Sequence, residues 1–196
     1  ITGEMGGIWN HPIKLMDGFR ASLSENDKTM GLDAASEFTN YPMANSHHFE
    51  LTGMGLTADR FQFVPDNTEG MVIQYVINNL NEKPRNLTFQ FTGDADLMPT
   101  WLAERQQVVD GKDTAGFDPI YDAWMVQDEN NNWSLMYGSD RISAAQGNSE
   151  SDYKGNGVSN TLDYDLEIDA LDRQLKYFNQ LEDYLVTRNN YNDVPA

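Results

Sequence analysis

The chain has 196 residues, with 13 Lys+Arg against 31 Asp+Glu and a formal net charge of −18 at pH 7. Such an acidic surface repels phosphate backbones and anionic lipid headgroups, which argues against nucleic acid and membrane as partners. There is no cysteine, so disulfides, thiolate nucleophiles and Cys-ligated metals are excluded, and no apolar run reaches the ~20 residues that span a bilayer.

The length suits one sizeable domain, or one domain with an appendage. Its opening, Ile1-Thr2-Gly3, has no initiator Met and no leader pattern, which reads as a trimmed chain that has lost an export signal. The expected location is therefore the periplasm or outside the cell. Along the chain, Ile13, Leu15, Phe19, Ala21 and Leu23 share one parity, with Asp17 the odd member, and predict a long strand. Phe49 and Leu51 mark another. Leu56 and Ala58, then Phe61 and Phe63, change parity across Asp59-Arg60, which predicts a bulge. A strand follows at Met71-Val72-Ile73-Gln74-Tyr75-Val76-Ile77. Leu87-Thr88-Phe89-Gln90-Phe91-Thr92 then alternates strictly, as a strand with one buried and one wet face does, and ends at Asp94-Ala95-Asp96.

Pro99 stands where a short helix over Trp101 to Gln107 begins, and residues 108–121 read as a loop. Trp124 and Val126, then Trp133, Leu135 and Tyr137, predict a hairpin around Asp128-Glu129-Asn130-Asn131-Asn132, with Trp124 and Trp133 a cross-strand core pair. Residues 143–158 read as an exposed polar loop. Over 161–169 the pattern is two-faced: Leu162, Tyr164, Leu166 and Ile168 on one side, Asp163, Asp165, Glu167 and Asp169 on a solvated other. The period then lengthens to 3.6, with Leu171, Leu175, Phe178, Leu181 and Leu185 as a helical stripe. About nine strands and a late helix make the chain mainly β, an antiparallel β super-sandwich over 1–170 with a C-terminal helical segment over 171–196.

Few residues carry chemistry. Asp94 and Asp96 at i and i+2 share a face and could share a proton or a cation, or simply form an Asx-rich turn. The acids of 163–169, preceded by Asn148, Glu150 and Asp152, could bind Ca²⁺, but four acids along a strand spread over ~20 Å, so a solvated face and no cofactor are expected. His11, His47 and His48 form no metal motif, since adjacent histidines in a strand face opposite ways, and no nucleophile elbow or phosphate loop occurs. Trp101, beside Glu104 and Arg105, is the tryptophan most suited to stack on a sugar ring.

Three blocks carry a resemblance. Gly6-Gly7-Ile8-Trp9-Asn10-His11-Pro12-Ile13-Lys14-Leu15-Met16-Asp17-Gly18 resembles an N-terminal signature of bacterial glycoside hydrolases related to family 63, the glucosidase and glycogen-debranching-like group. Leu56-Thr57-Ala58-Asp59-Arg60-Phe61-Gln62-Phe63-Val64-Pro65-Asp66 with Glu69-Gly70 is similar to the next block, and Thr92-Gly93-Asp94-Ala95-Asp96-Leu97-Met98 to a strand leading into a substrate-side loop. The resemblance covers roughly residues 4–140. It implies an N-terminal β super-sandwich packed on an (α/α)6 barrel, with a glycan substrate. In that family the general acid and base lie on the barrel, so no catalytic residue transfers to this chain.

The resemblance thus implies an accessory domain of a glycoside hydrolase, non-catalytic alone. Its partner is the catalytic barrel of the same parent chain, with Asp94, Asp96 and Trp101 near the domain interface or glycan. A free-standing carbohydrate-binding sandwich and a structural secreted domain without ligand are the alternatives.

Overall fold

A computed structural model describes residues 6–99, 107–139, 141–147 and 155–169. Those residues form antiparallel sheets and no helix, so the mainly β class holds. The expected short helix at Trp101 and the helical segment over 171–196 lie outside the described residues, apart from Gln107.

The strands are β1 (Ile8–Asn10), β2 (Ile13–Glu25), β3 (Lys28–Gly31), β4 (Glu37–Tyr41), β5 (Ala44–Leu51), β6 (Leu56–Phe63), β7 (Val72–Asn79), β8 (Arg85–Pro99), β9 (Asp113–Asp118), β10 (Ala123–Asp128), β11 (Ser134–Gly138), β12 (Ala144–Gly147) and β13 (Val158–Ile168). They divide between two compact units. One takes in Ile1–Ala35, Pro65–Gly70 and Asn86–Leu166; the other takes in Ser36–Val64, Met71–Arg85 and the chain from Glu167.

The first unit is a two-layer sandwich. Its larger sheet runs β1-β2-β8-β13-β12, with β3 beside β2, and its smaller sheet runs β11-β10-β9. Ala95 and Leu97 of β8 meet Val126 of β10 with no exposed surface, and Leu15, Trp133, Leu135 and Tyr137 pack around them. Burying a side chain the size of Leu97 or Val126 is worth about 1.5–3 kcal/mol, and the alternation along β8 and β10 turns every second residue toward this core. Gly93 lets the layers close: a Cβ there would lie 2.8 Å from Met16 Cε and 2.8 Å from the Tyr137 ring.

Two expectations change here. The single parity read for β2 holds for Leu15, which packs on the core cluster, and for Phe19, Ala21 and Leu23, which are buried. Nearer the strand start Lys14, Met16 and Gly18 are buried as well, where the pairing with β8 is irregular between Lys14 and Met16 and again between Met16 and Gly18. Residues 108–121 and 143–158 are not plain loops either. They contribute β9, which pairs with β10, β12, which pairs with β13, and the first residue of β13 itself.

In the second unit the sheet runs β4-β5-β6-β7. The pairing of β5 with β6 is continuous from Ala44↔Phe63 to Leu51↔Leu56, so the bulge expected at Asp59-Arg60 is absent. The parity change has another cause: Leu56 and Ala58 are buried on one face and Phe61 on the other. On that second face Phe61 is enclosed by two rings, Tyr41 at 6.3 Å and Phe63 at 5.8 Å between centroids.

Candidate functional site

The pairing of β2 with β8 brings two cations of one strand to two acids of the other. Arg20 donates from Nε to Asp94 Oδ2 at 3.1 Å and from Nη2 to Asp94 Oδ1 at 3.0 Å, a fork that matches a carboxylate. Ser159 of β13 donates its hydroxyl to the same Oδ1 at 2.7 Å. The Asp94 bond keeps the Arg20 pKa above its ordinary value, against the opposing effect of burial.

Lys14 sits deeper, at 8 % exposure. Its Nζ donates to Asp96 Oδ2 at 2.5 Å and to Asp17 Oδ1 at 2.6 Å. Burial works against its charge, but the bonds to Asp17 and Asp96 outweigh burial and hold its pKa above the usual lysine value. Asp94 and Asp96 therefore do not pair with each other, and neither ends the strand as a turn: β8 continues to Pro99. Trp101, the third residue singled out by sequence, lies outside the described residues.

Beyond Asp96 lies a group of acids that the sequence reading passed over. Asp113 opens β9 and is 1 % exposed. Its Oδ2 accepts the Leu97 N–H at 2.7 Å, while its Oδ1 is buried without a partner. Across the strand pair it stands directly opposite Asp128. Asp128 Oδ2 accepts the Gly111 N–H at 2.8 Å, and its Oδ1 accepts the N–H groups of Asn130 and Asn131, an Asx turn of the kind such loops form. Asp110 Oδ2 accepts from Asn156 Nδ2 at 2.8 Å, and Asp110 Oδ1 is also buried without a partner. Burial pushes the Asp113 pKa up to about 7, with Asp96, Asp128 and Asp110 adding to the rise against the Leu97 hydrogen bond. Burial raises Asp110 too, helped by Asp96 and Asp128. Reading 108–121 as a loop hid this group; with β9 paired to β10, the acid spacing alone would have found it.

No family model and no curated protein matches this chain.

The acidic face of β13 is not uniformly solvated. Asp165 and Glu167 are exposed, but Asp163 is buried and accepts from Gln90 Nε2 at 2.9 Å and Gln146 Nε2 at 2.6 Å. Thr92 and Thr161 share a hydroxyl bond at 2.9 Å in the same polar ladder. Among the described residues, no three His, Asp or Glu side chains have the geometry to hold a metal ion.

Both expected core tryptophans are engaged in packing, though not with each other. Trp124 stands across from Tyr137, meets Phe117 edge-on at 5.4 Å and donates its indole N–H to the Thr161 carbonyl at 3.2 Å. Trp133 packs on the Val126 cluster.

In the second unit His47 and His48 do face opposite ways. His48 Nδ1 lies 2.6 Å from Asp59 Oδ1. His47 stacks near Phe38 and Phe49, and burial, with the Arg60 charge, lowers its pKa to about 4. Arg60 lies 5.5 Å from the Phe49 ring centre, a cation–π contact. Burial raises the Tyr75 hydroxyl to about 12, against the charge and hydrogen bond of Arg60.

Proposed function

We propose that this chain is a supporting β-sandwich domain of a larger glycoside hydrolase, non-catalytic on its own, which braces a catalytic (α/α)6 barrel of the same parent chain and borders its glycan cleft. The observation that carries this reading is the engagement of Asp94 and Asp96. The first block of the resemblance supplies Lys14 and the third supplies both acids; the two blocks lie side by side as β2 and β8, with Gly18 opposite Asp94 and Met16 opposite Ala95. Both carboxylates are tied to cations of the neighbouring strand. Glycoside hydrolysis needs two carboxyl groups flanking the scissile bond, free to move a proton or attack a sugar carbon. Acids bound into a sheet this way serve the scaffold.

The test is an assay of the chain alone on a panel of aryl glycosides and oligosaccharides. No turnover above the buffer rate is expected. Turnover that disappears in Asp94→Asn or Asp96→Asn would overturn the reading.

The second reading, a free-standing carbohydrate-binding sandwich, draws on the rings of Tyr41, Phe61 and Phe63 with Met43, Val64 and Val72 exposed near them. Aromatic faces suit the C–H surfaces of sugars. It requires glycan binding by the chain alone in calorimetry, weakened at least tenfold by Tyr41→Ala.

A further inference from the structure

The acid group around Asp113 has no part in the supporting role, and its geometry poses a problem of charge. Asp113 and Asp128 are direct cross-strand partners on β9 and β10, and like charges directly opposite in an antiparallel pair repel. Asp96 approaches from β8 and Asp110 from the connection before β9, and both act on Asp113 electrostatically. From β2, Arg20 is bound to Asp94, and the Lys14 ammonium is already shared by Asp17 and Asp96. From the β10–β11 hairpin comes Glu129, whose Oε1 accepts the Lys112 N–H at 3.2 Å. Asp113 is the most buried acid of the group, and its Oδ1 finds no hydrogen-bond donor. A carboxylate so placed would be a buried charge with no cation bonded to it, which costs far more than a neutral carboxyl with one polar group left unsatisfied.

We propose that Asp113 keeps its proton in the folded protein up to near-neutral pH and forms a proton-operated latch, fastening the connection before β9 to the end of β8. The latch is built from four hydrogen bonds around that side chain. Asp113 takes the Leu97 N–H, Asp128 takes the Gly111 N–H, Asn156 gives its side chain to Asp110, and the Asn156 carbonyl takes the Asp113 N–H at 2.8 Å. Opening the latch hydrates Asp113 and lets it ionise at its ordinary value. Opening therefore becomes easier as pH rises toward the folded-state titration, and no easier beyond it. This inference stands on the geometry of the first unit and is independent of any glycosidase role.

The experiment is a pH titration of the whole chain carrying ¹³C-labelled aspartate carboxyls, with hydrogen exchange at the Leu97 and Gly111 amides. One carboxyl resonance is expected to titrate near neutrality, to vanish in Asp113→Asn, and to move to lower pH in Asp110→Asn, which removes a negative neighbour. Amide protection in the native chain should fall by about tenfold per pH unit between pH ~5 and ~7 and level off above, while Asp113→Asn stays flat. An Asp113 carboxyl that titrates below pH ~5 overturns the proposal, as does a native exchange profile parallel to that of Asp113→Asn. Should Asp113→Asn fail to fold, the native resonance, assigned through the bond to Leu97, decides the matter alone.

Discussion

Lys14 and Arg20 both meet acids of β8, yet their contributions to stability differ because their surroundings do. The Arg20 side chain is 67 % exposed, against 10 % for Lys14. Water screens the first pair, so Arg20→Ala should cost about 1 kcal/mol or less. Lys14→Met leaves Asp96 buried opposite nothing and should cost about 3–5 kcal/mol; denaturant unfolding of the two variants checks the order. Two titrations also oppose each other. Asp113 has a folded pKa raised from 3.8 to about 7, so its contribution is fully present below the unfolded value and declines as pH rises through this window, by about 1.4 kcal/mol per pH unit. His47 has a folded pKa lowered from 6.5 to about 4, so its contribution is present above pH 6.5 and is lost as pH falls toward 4. The native melting profile should therefore be shallow in that range. Asp113→Asn and His47→Phe should tilt it in opposite directions, the first losing stability toward low pH and the second gaining stability there. A pH series of thermal melts on the three proteins would show it.

At the scale of the strand, alternation revealed most of what could be revealed. β8, β10 and β13 were legible because large apolar residues recur at every second position, and β11 likewise. β9 escaped because Asp113-Thr114-Ala115-Gly116-Phe117-Asp118 offers a single large apolar residue, and β12 because Ala144-Ala145-Gln146-Gly147 offers none. The burial of Lys14 and Met16 was not legible for a different reason: the irregular pairing around them depends on β8, which lies far along the chain. The same limit hid the acid latch, since Asp113 and Asp128 become neighbours only through strand pairing. Asp94 and Asp96 were visible as a pair of acids, but their cations were not visible as partners. The close passage at Gly93 gives an element-scale test. Gly93→Ala puts a methyl against Met16 and Tyr137, and should destabilise by about 1–3 kcal/mol through overpacking. Combining it with Met16→Ala should restore part of that loss, measured as a coupling energy between the two.

For the whole molecule, the mainly β class followed from the pattern of strands, whereas the grouping into two compact units rests on long-range contacts that no shift of composition marks. The larger sheet of the first unit has an order in time as well as in space. Lys14 meets Asp96 across 82 residues of chain, and Arg20 meets Ser159 across 139. Closing such loops costs entropy before any contact returns it, and chains dominated by distant pairings fold in milliseconds to seconds. Refolding followed by tryptophan fluorescence should accordingly fall in that range, with Trp124 among the last groups to be shielded, because it bonds to β13. During synthesis the ribosome releases β2 long before β8 and β13 exist. For that interval the nascent chain carries an open strand edge that invites pairing with a neighbouring copy, and the acidic charge of the chain becomes a safeguard for its unfinished state.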